Sequence, residues 1–250
     1  MRMSRRFLVL CGLALSVPSF VVADDAASRA IVEKAIEVHG GEKLLAKFKG
    51  ATSKIKGTIQ INGAPIAFTG EIDSQGVNQQ KIFVSFVLDG QSISFASVLN
   101  RNQGWIKINN DTIDMPAEQL AETKESAYSG WVATLLPLKD KAFSLAPFGE
   151  IEIAGRKAIG VNVTREGRRP INLFFDKEKF HLVRTETRVK DETTNQEVTE
   201  ESTFGEYKLI EGAQQPLKIT IKRNNKPHAD VEVTEFKYVE KLEDSVFAKP

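Results

Sequence analysis

Cysteine and histidine are nearly absent from this sequence of 250 residues, which contains one cysteine and three histidines. Cys11 lies in an N-terminal segment that we expect to be removed, so the remaining chain would have no thiol. That excludes disulfides, thiolate metal sites and cysteine nucleophiles. His39, His181 and His228 are far apart in the sequence and lack the H-E-x-x-H spacing of a zinc site. We therefore interpret them as surface or turn residues and expect no metal site.

The sequence also lacks an excess of charge of either sign. Its 34 lysines and arginines are balanced by 33 aspartates and glutamates. A nucleic-acid-binding domain is typically basic, with clustered Lys and Arg, so we expect no nucleic-acid partner. Beyond the N-terminal segment, no apolar run reaches the roughly 20 residues that a membrane-spanning helix needs. We therefore expect no transmembrane segment.

The first 23 residues have the features of a secretory signal peptide. Three arginines in the first six residues precede an apolar core at residues 7–15, and Val-Val-Ala at 21–23 resembles a cleavage site. An uncleaved anchor is the alternative, but the apolar run is short and is interrupted by Pro18. Cleavage would leave residues 24–250 as an exported, periplasmic protein.

From residue 51 the apolar residues recur with a period of two. In "KIKGTIQI", Ile55, Ile59 and Ile61 alternate with polar residues, which is typical of a strand with one buried face. Turn dipeptides such as Asn62-Gly63 separate this run from later ones. Further predicted strands lie at 65–72, 81–90, 92–99, 104–108, 151–155, 157–165, 171–176, 182–189, 197–207, 216–223 and 228–238.

Two segments have helical periodicity instead. Residues 27–50 predict a helix, a break at Gly40-Gly41 and a short second helix, and residues 116–138 predict an inserted amphipathic helix. Roughly ten or more antiparallel strands should curl strongly rather than form a flat sheet. The only available covers for the apolar face are the two helical segments. The expected fold is α+β, a single domain whose curved antiparallel sheet has an N-terminal and an inserted helix on its concave face.

Signatures of catalysis are missing as well. There is no G-x-S-x-G elbow, and "HGGEKL" at 39–44 lacks the first glycine, the spacing and the hydroxyl residue of a phosphate-binding loop. No pair of acidic residues stands in an apolar context that would separate their pKa values for acid–base catalysis. We predict no catalytic residues, no cofactor and a protein that is not an enzyme.

The run "INLFFDKEKFHLVRTETR" at 171–188, with the order of predicted elements, resembles the periplasmic LolA/LolB-like lipoprotein carriers. The resemblance implies an open half-barrel with a hydrophobic cavity that holds lipoprotein acyl chains without catalysis. It does not assign the carriers' functional arginine, for which Arg101, Arg184 and Arg188 are all candidates.

The sequence is rich in phenylalanine, with fifteen against three tyrosines, which suits a dry interior or a lipid-like ligand. We predict an exported carrier that binds lipid or lipoprotein acyl chains between sheet and inserted helix. The alternative is an envelope structural or protein-interaction module with a filled core, docked to an envelope protein. The residues expected to face an apolar cavity are Phe68, Phe86, Phe95, Trp131, Leu135 and Phe175.

Overall fold

The computed structural model describes residues 20–191 and 194–250, and side chains from residue 25 onward. The segment 1–19, which holds most of the predicted signal peptide, lies outside the described residues. Helix α1 spans Phe20–Val38, the single-turn helix α2 spans Glu42–Leu45, and helix α3 spans Ala117–Ala133. None of the helices in the described part of the chain has the length and hydropathy that crossing a bilayer requires.

Thirteen strands in the described residues form one antiparallel sheet, which is curved and open. They are β1 (Gly50–Ile61), β2 (Ala64–Gln75), β3 (Gln79–Leu88), β4 (Gln91–Asn100), β5 (Gln103–Ile108), β6 (Asp111–Asp114), β7 (Ser144–Ile153), β8 (Arg156–Thr164), β9 (Ile171–Asp176), β10 (Leu182–Lys190), β11 (Glu197–Ile210), β12 (Ala213–Arg223) and β13 (Lys226–Val239). Their spatial order is β6-β5-β4-β3-β2-β1-β13-β12-β11-β10-β9-β8-β7, so β6 and β7 are the two edges. The predicted fold class, an open half-barrel with few helices, is confirmed.

The strand register collects the predicted apolar residues on one face of the sheet. Phe68 pairs with Gly57 on one side and with Phe86 on the other, and Val84 pairs with Phe95. Directly opposed residues of neighbouring strands share a face, so the two-residue period of each strand adds up to one continuous apolar surface. This surface is the concave side of the sheet.

The main core fills only part of that concave side. It lies where α1 and α3 meet the strands β7 to β10. Its fully buried members are Val32, Ala35, Ile36, Tyr128, Val132, Leu135, Leu138, Phe143, Leu145, Val161, Val163, Ile171, Leu173, Phe175 and Leu182. Because both long helices pack on this half, the central strands are left without a helix packed directly on them.

The C-terminal segment covers the opposite face of the sheet near β4 and β5. Phe247, in a 3₁₀ helix at Asp244–Phe247, is fully buried against Val98 and Trp105. This cover and the four-residue edge strand β6 were not expected from the sequence. Short polar strands such as β6 carry too few residues to show a period.

The predicted helix boundaries are partly right. Gly40 and Gly41 end α1 with φ values of 134° and 79°, as expected for glycine at a helix terminus. The inserted helix is shorter than predicted, because α3 stops at Ala133 and Leu135 has a φ of 69°. A 3₁₀ helix at Leu136–Lys139, with Pro137 near its start, follows.

Candidate ligand cavity

A cavity of about 1710 Å³ lies between α3 and the central strands of the sheet. Sites for drug-sized ligands are typically about 300–1,000 Å³, so this space suits a longer molecule. Its apolar wall on the sheet consists of Ile72, Ile82, Phe95, Phe204, Ile219, Ile221, Phe236 and Tyr238. All are supplied by strands whose period of two aims alternate residues at the concave side.

The helix wall of the cavity carries mostly small or polar side chains, with two aromatic ones. The small and polar members from α3 include Gln119, Glu122, Thr123, Ser126, Ser129, Gly130 and Ala133. Tyr128 and Trp131 border the cavity as well, and Tyr128 also packs into the main core with Val132. A Cβ added to Gly130 would meet no atom within 4 Å. The helix therefore presents little bulk to the cavity around Gly130.

The structure separates the six residues that were predicted to face the cavity. Phe95 and Trp131 line it. Phe68 and Phe86 do not line the cavity; they belong to the same apolar sheet face and pack with Ile55 in a cluster that adjoins the cavity through Ile72 and Phe236. The isoleucines and aromatics of β12 and β13 that do line it have the same period of two, which was a usable signal for them.

Leu135 and Phe175 are in the interior of the main core rather than at the cavity. Their exposed fractions are 1% and 0%. Helix α1 occupies the space above this part of the sheet and contributes Val32 and Ile36 to the same cluster. Ligand binding by any of the six residues stays a prediction.

Three ion pairs hold the N-terminal half of α3 to one side of the half-barrel. Arg169 donates to the two carboxylate oxygens of Glu122 at 2.7 and 2.5 Å, and Arg168 donates to Glu125 at 2.8 Å. Glu118 accepts from Lys190. The hydrogen bond from Arg169 holds the pKa of Glu122 below its usual range, although partial burial opposes this. The helix is thus fixed beside β10 by charges that pair within the protein.

His39 and His181, which are distant in the sequence, meet at the α1 end of the cavity. The His39 ring lies edge-on to the rings of His181 and Tyr207, with centroids 5.6 and 5.5 Å apart. The Tyr207 hydroxyl donates to the carbonyl of Leu182 at 2.5 Å. His39 lies in the turn that follows α1, as interpreted, but it is only 8% exposed, so it is not a surface residue. This burial was not predictable from the local pattern, because strand β11 brings Tyr207 to the end of α1 from far along the chain.

Burial lowers the pKa of His39 to about 4, and the nearby His181 acts in the same direction. The Nδ1 atom lies 2.7 Å from the carbonyl oxygen of Ala35. A carbonyl only accepts, so Nδ1 carries the proton of the neutral ring. Nε2 is buried and has no hydrogen-bond partner among the described residues. Protonation of this ring would place an unpaired charge in the interior.

Across residues 20–191 and 194–250, no three acidic or histidine side chains are grouped so that they could hold a metal ion. Among the described residues, no carboxylate is therefore placed to bind a metal ion together with His39 and His181. The polar features that the structure does bring together at the cavity are hydroxyls, amides and charged groups, among them ion pairs such as Arg169 with Glu122.

The open antiparallel half-barrel with few helices is the fold of the LolA-like proteins. A LolA superfamily protein from Nitrosomonas europaea has a TM-score of 0.56 at 12% identity, covering 89% of this chain and 97% of that one. A DUF1329 family protein from Desulfovibrio piger has a TM-score of 0.58 at 11% identity, covering 88% and 97%. A domain from Vibrio parahaemolyticus that is named for outer-membrane lipoprotein sorting has a TM-score of 0.57 at 9% identity, covering 90% and 97%.

No family model matches the sequence, and no curated protein matches it either. At these identities the comparisons define the fold, and the resemblance inferred from the sequence is confirmed at that level.

Proposed function

We propose that this protein is an exported, periplasmic carrier that holds the apolar part of an amphiphile, either lipoprotein acyl chains or a lipid, in the cavity beneath α3. The observation that carries the proposal is the large cavity itself, which has an apolar sheet wall. The carrier acts by binding and release, and no chemical step is assigned to it. Residues 24–250 would form a single carrier domain after removal of the signal peptide.

The energetics favour an acyl chain over a small polar ligand. Each buried CH₂ group gains about 0.8 kcal/mol, so about ten of them gain roughly 8 kcal/mol. Association costs about 4–15 kcal/mol in lost freedom, so the chain must bury most of its length to bind well. A cavity of about 1710 Å³ offers room for such burial.

The alternative function, an envelope module that docks a protein partner, requires no internal space. A filled concave side would favour it. The open cavity supports the carrier instead.

The proposal is tested by purifying the protein from the periplasmic fraction of its host and extracting it with organic solvent for mass spectrometry. We expect acyl-containing molecules at a stoichiometric level, released only when the protein is denatured. An exported protein of similar size without a cavity, purified in parallel, controls for carry-over. A lipid-free protein that also fails to take up fatty acids or lipids in solution would contradict the proposal.

A further inference from the structure

Two hydroxyl side chains face each other across neighbouring strands on the wall of the cavity. Thr185 of β10 pairs directly with Ser202 of β11, and both line the cavity. Thr185 is only 6% exposed as a residue, and Ser202 is partly buried, but neither hydroxyl is among the fully enclosed atoms that lack a hydrogen-bond partner. Both hydroxyls border the cavity, and a hydroxyl can donate and accept a hydrogen bond. The pair is therefore a place where a bound molecule can form hydrogen bonds with the wall.

Helix α3 brings two more hydroxyls to the same cavity. The helix lies over β10. The backbone N–H of Lys190 in β10 donates to Glu122 of the helix at 3.2 Å, which fixes the position of the helix relative to the strand. Ser126 and Ser129, one and two turns further along the helix, line the cavity too. Within the described part of the chain neither serine side chain makes a hydrogen bond. The four hydroxyls therefore border the same cavity, two from α3 and two from β10 and β11.

The basic side chains that line this end of the cavity are already matched by acids. Arg223 donates to Glu200 at 2.9 Å, and the partners of Arg169 and Lys190 on α3 are described above. Arg188 has Glu197 at 3.8 Å. An anionic head group placed beside the hydroxyls would have to break one of these pairs, because burying an unpaired charge is costly. A hydroxyl, ester or amide group would not.

We propose that Thr185, Ser202, Ser126 and Ser129 form a subsite for the uncharged, hydrogen-bonding head group of an acyl lipid, with the acyl chain along the isoleucines and phenylalanines of the sheet. This inference rests on the proposed carrier function. Hydroxyls both donate and accept, so the subsite suits a glyceride or an acylated amide equally. It selects against carboxylate and phosphate head groups on the same chain.

The subsite is tested by isothermal titration calorimetry of the purified, delipidated protein with three ligands that share one oleoyl chain. Monooleoylglycerol and N-oleoylglycinamide represent the two uncharged sources, and oleate represents the anion. We expect both uncharged ligands to bind more tightly than oleate. The variant Thr185→Val/Ser202→Ala should bind the better uncharged ligand several-fold more weakly, since each lost hydrogen bond is worth about two- to tenfold. Its affinity for oleate should be unchanged.

Two further variants provide a second test of the subsite and a control. Ser126→Ala/Ser129→Ala, which suits a helix at least as well as the parent sequence, should show the same selective loss. Thr52→Val makes the same chemical change on the other face of the sheet, outside the cavity, and should alter none of the three affinities. Unfolding curves in urea establish that each variant is folded.

The outcomes separate the subsite from the carrier function. The subsite is overturned if oleate binds as tightly as the two uncharged ligands. It is also overturned if neither double variant weakens binding of the uncharged ligands. In both cases the carrier function still stands. Failure of the parent protein to bind any of the three overturns the carrier function and the subsite with it. A selective loss for only one uncharged ligand supports the subsite and identifies the head group as a glyceride or an amide.

Discussion

The guanidinium of Arg169 donates two hydrogen bonds to the carboxylate of Glu122 and so ties α3 to the connection between β8 and β9. Both side chains are about one-quarter exposed, at 25% and 24%. A two-pronged pair of this kind fixes orientation as well as distance. Since α3 forms one wall of the cavity, the position of that wall depends on this ion pair.

Replacing Arg169 with leucine should loosen α3. The variant leaves Glu122 partly buried without its partner, which we expect to lower the free energy of unfolding by about 1–3 kcal/mol. Hydrogen exchange of the α3 amides should accelerate more than exchange in β1 and β2. Lys218→Leu removes an exposed pair with Glu206 and should change neither quantity measurably. Equal exchange in α3 of the Arg169 variant and the parent would show that the pair does not hold the helix.

The buried His39 should make stability depend on pH. Because its pKa falls from 6.5 to about 4 on folding, the unfolded chain takes up a proton near pH 6.5 while the folded protein does not. The contribution of the neutral His39 ring to the free energy of unfolding is thus complete above pH 6.5, and it is lost as the pH falls toward 4. Between pH 7.5 and pH 5 this one group should remove about 2 kcal/mol.

Urea unfolding of the parent and of His39→Gln at both pH values checks this expectation. Glutamine does not titrate, so the variant should lose about 2 kcal/mol less than the parent between the two conditions. The other titrating groups are common to both proteins and cancel in the comparison. Identical losses would mean that His39 is protonated equally in the folded and unfolded states.

The two glycines after α1 should differ in their tolerance of alanine. A Cβ on Gly40 would lie 3.2 Å from the Cα of Ala213 and 3.3 Å from the carbonyl oxygen of Gly212, whereas one on Gly41 would meet nothing within 4 Å. Both have positive φ, which costs an alanine about 1–2 kcal/mol. Gly41→Ala should show about that cost in thermal unfolding, and Gly40→Ala more. The reverse order would indicate that the end of α1 can shift away from β12.

The C-terminal segment should contribute strongly to stability without affecting the ligand. Phe247→Ala empties a fully buried position on the face of the sheet that is opposite the cavity, and we expect a cost of about 3–5 kcal/mol. Lys249→Ala, an exposed position nearby, should cost little. Acyl-ligand affinity of the folded Phe247 variant, measured by calorimetry, should equal that of the parent. A large loss of affinity would mean that the two faces of the sheet are coupled.

Most of the sheet was predictable because most strands carry their own signal, with β6 and the first part of β7 as exceptions. Ile55, Phe68 and Phe95 repeat with a period of two inside their segments, and turn residues delimit those segments. Which of these residues line a cavity was not predictable. Phe95 lines it and Phe175 does not, because Phe175 is buried in the main core together with residues of α1 and α3. Such a difference arises from how distant elements pack, which a local pattern does not encode.

The polar residues of the cavity were missed for a related reason. Thr185 and Ser202 are ordinary strand residues in the sequence, and only the register of β10 with β11 places them opposite each other. His39 looked like an exposed residue of a last helical turn, yet Tyr207 and His181 enclose it. Helix α3 showed its apolar stripe clearly, while the small residues on its other side gave no hint that they form a cavity wall.

The central claim is that the space beneath α3 holds the ligand, and filling that space tests it most directly. Ser126 and Gly130 both line the cavity, and there is open space around Gly130. In Ser126→Phe/Gly130→Phe, two large side chains would therefore occupy the cavity. The control, Ala117→Phe/Ala121→Phe, adds the same side chains to exposed positions of the same helix that do not line the cavity.

Calorimetric titration with monooleoylglycerol should give an affinity at least about tenfold lower for the filled variant, since each excluded methylene costs about 0.8 kcal/mol. The control variant should bind like the parent. Unfolding curves in urea should show both variants folded. Equal affinity of the filled variant and the parent would contradict the account, because the ligand would then bind somewhere other than the cavity.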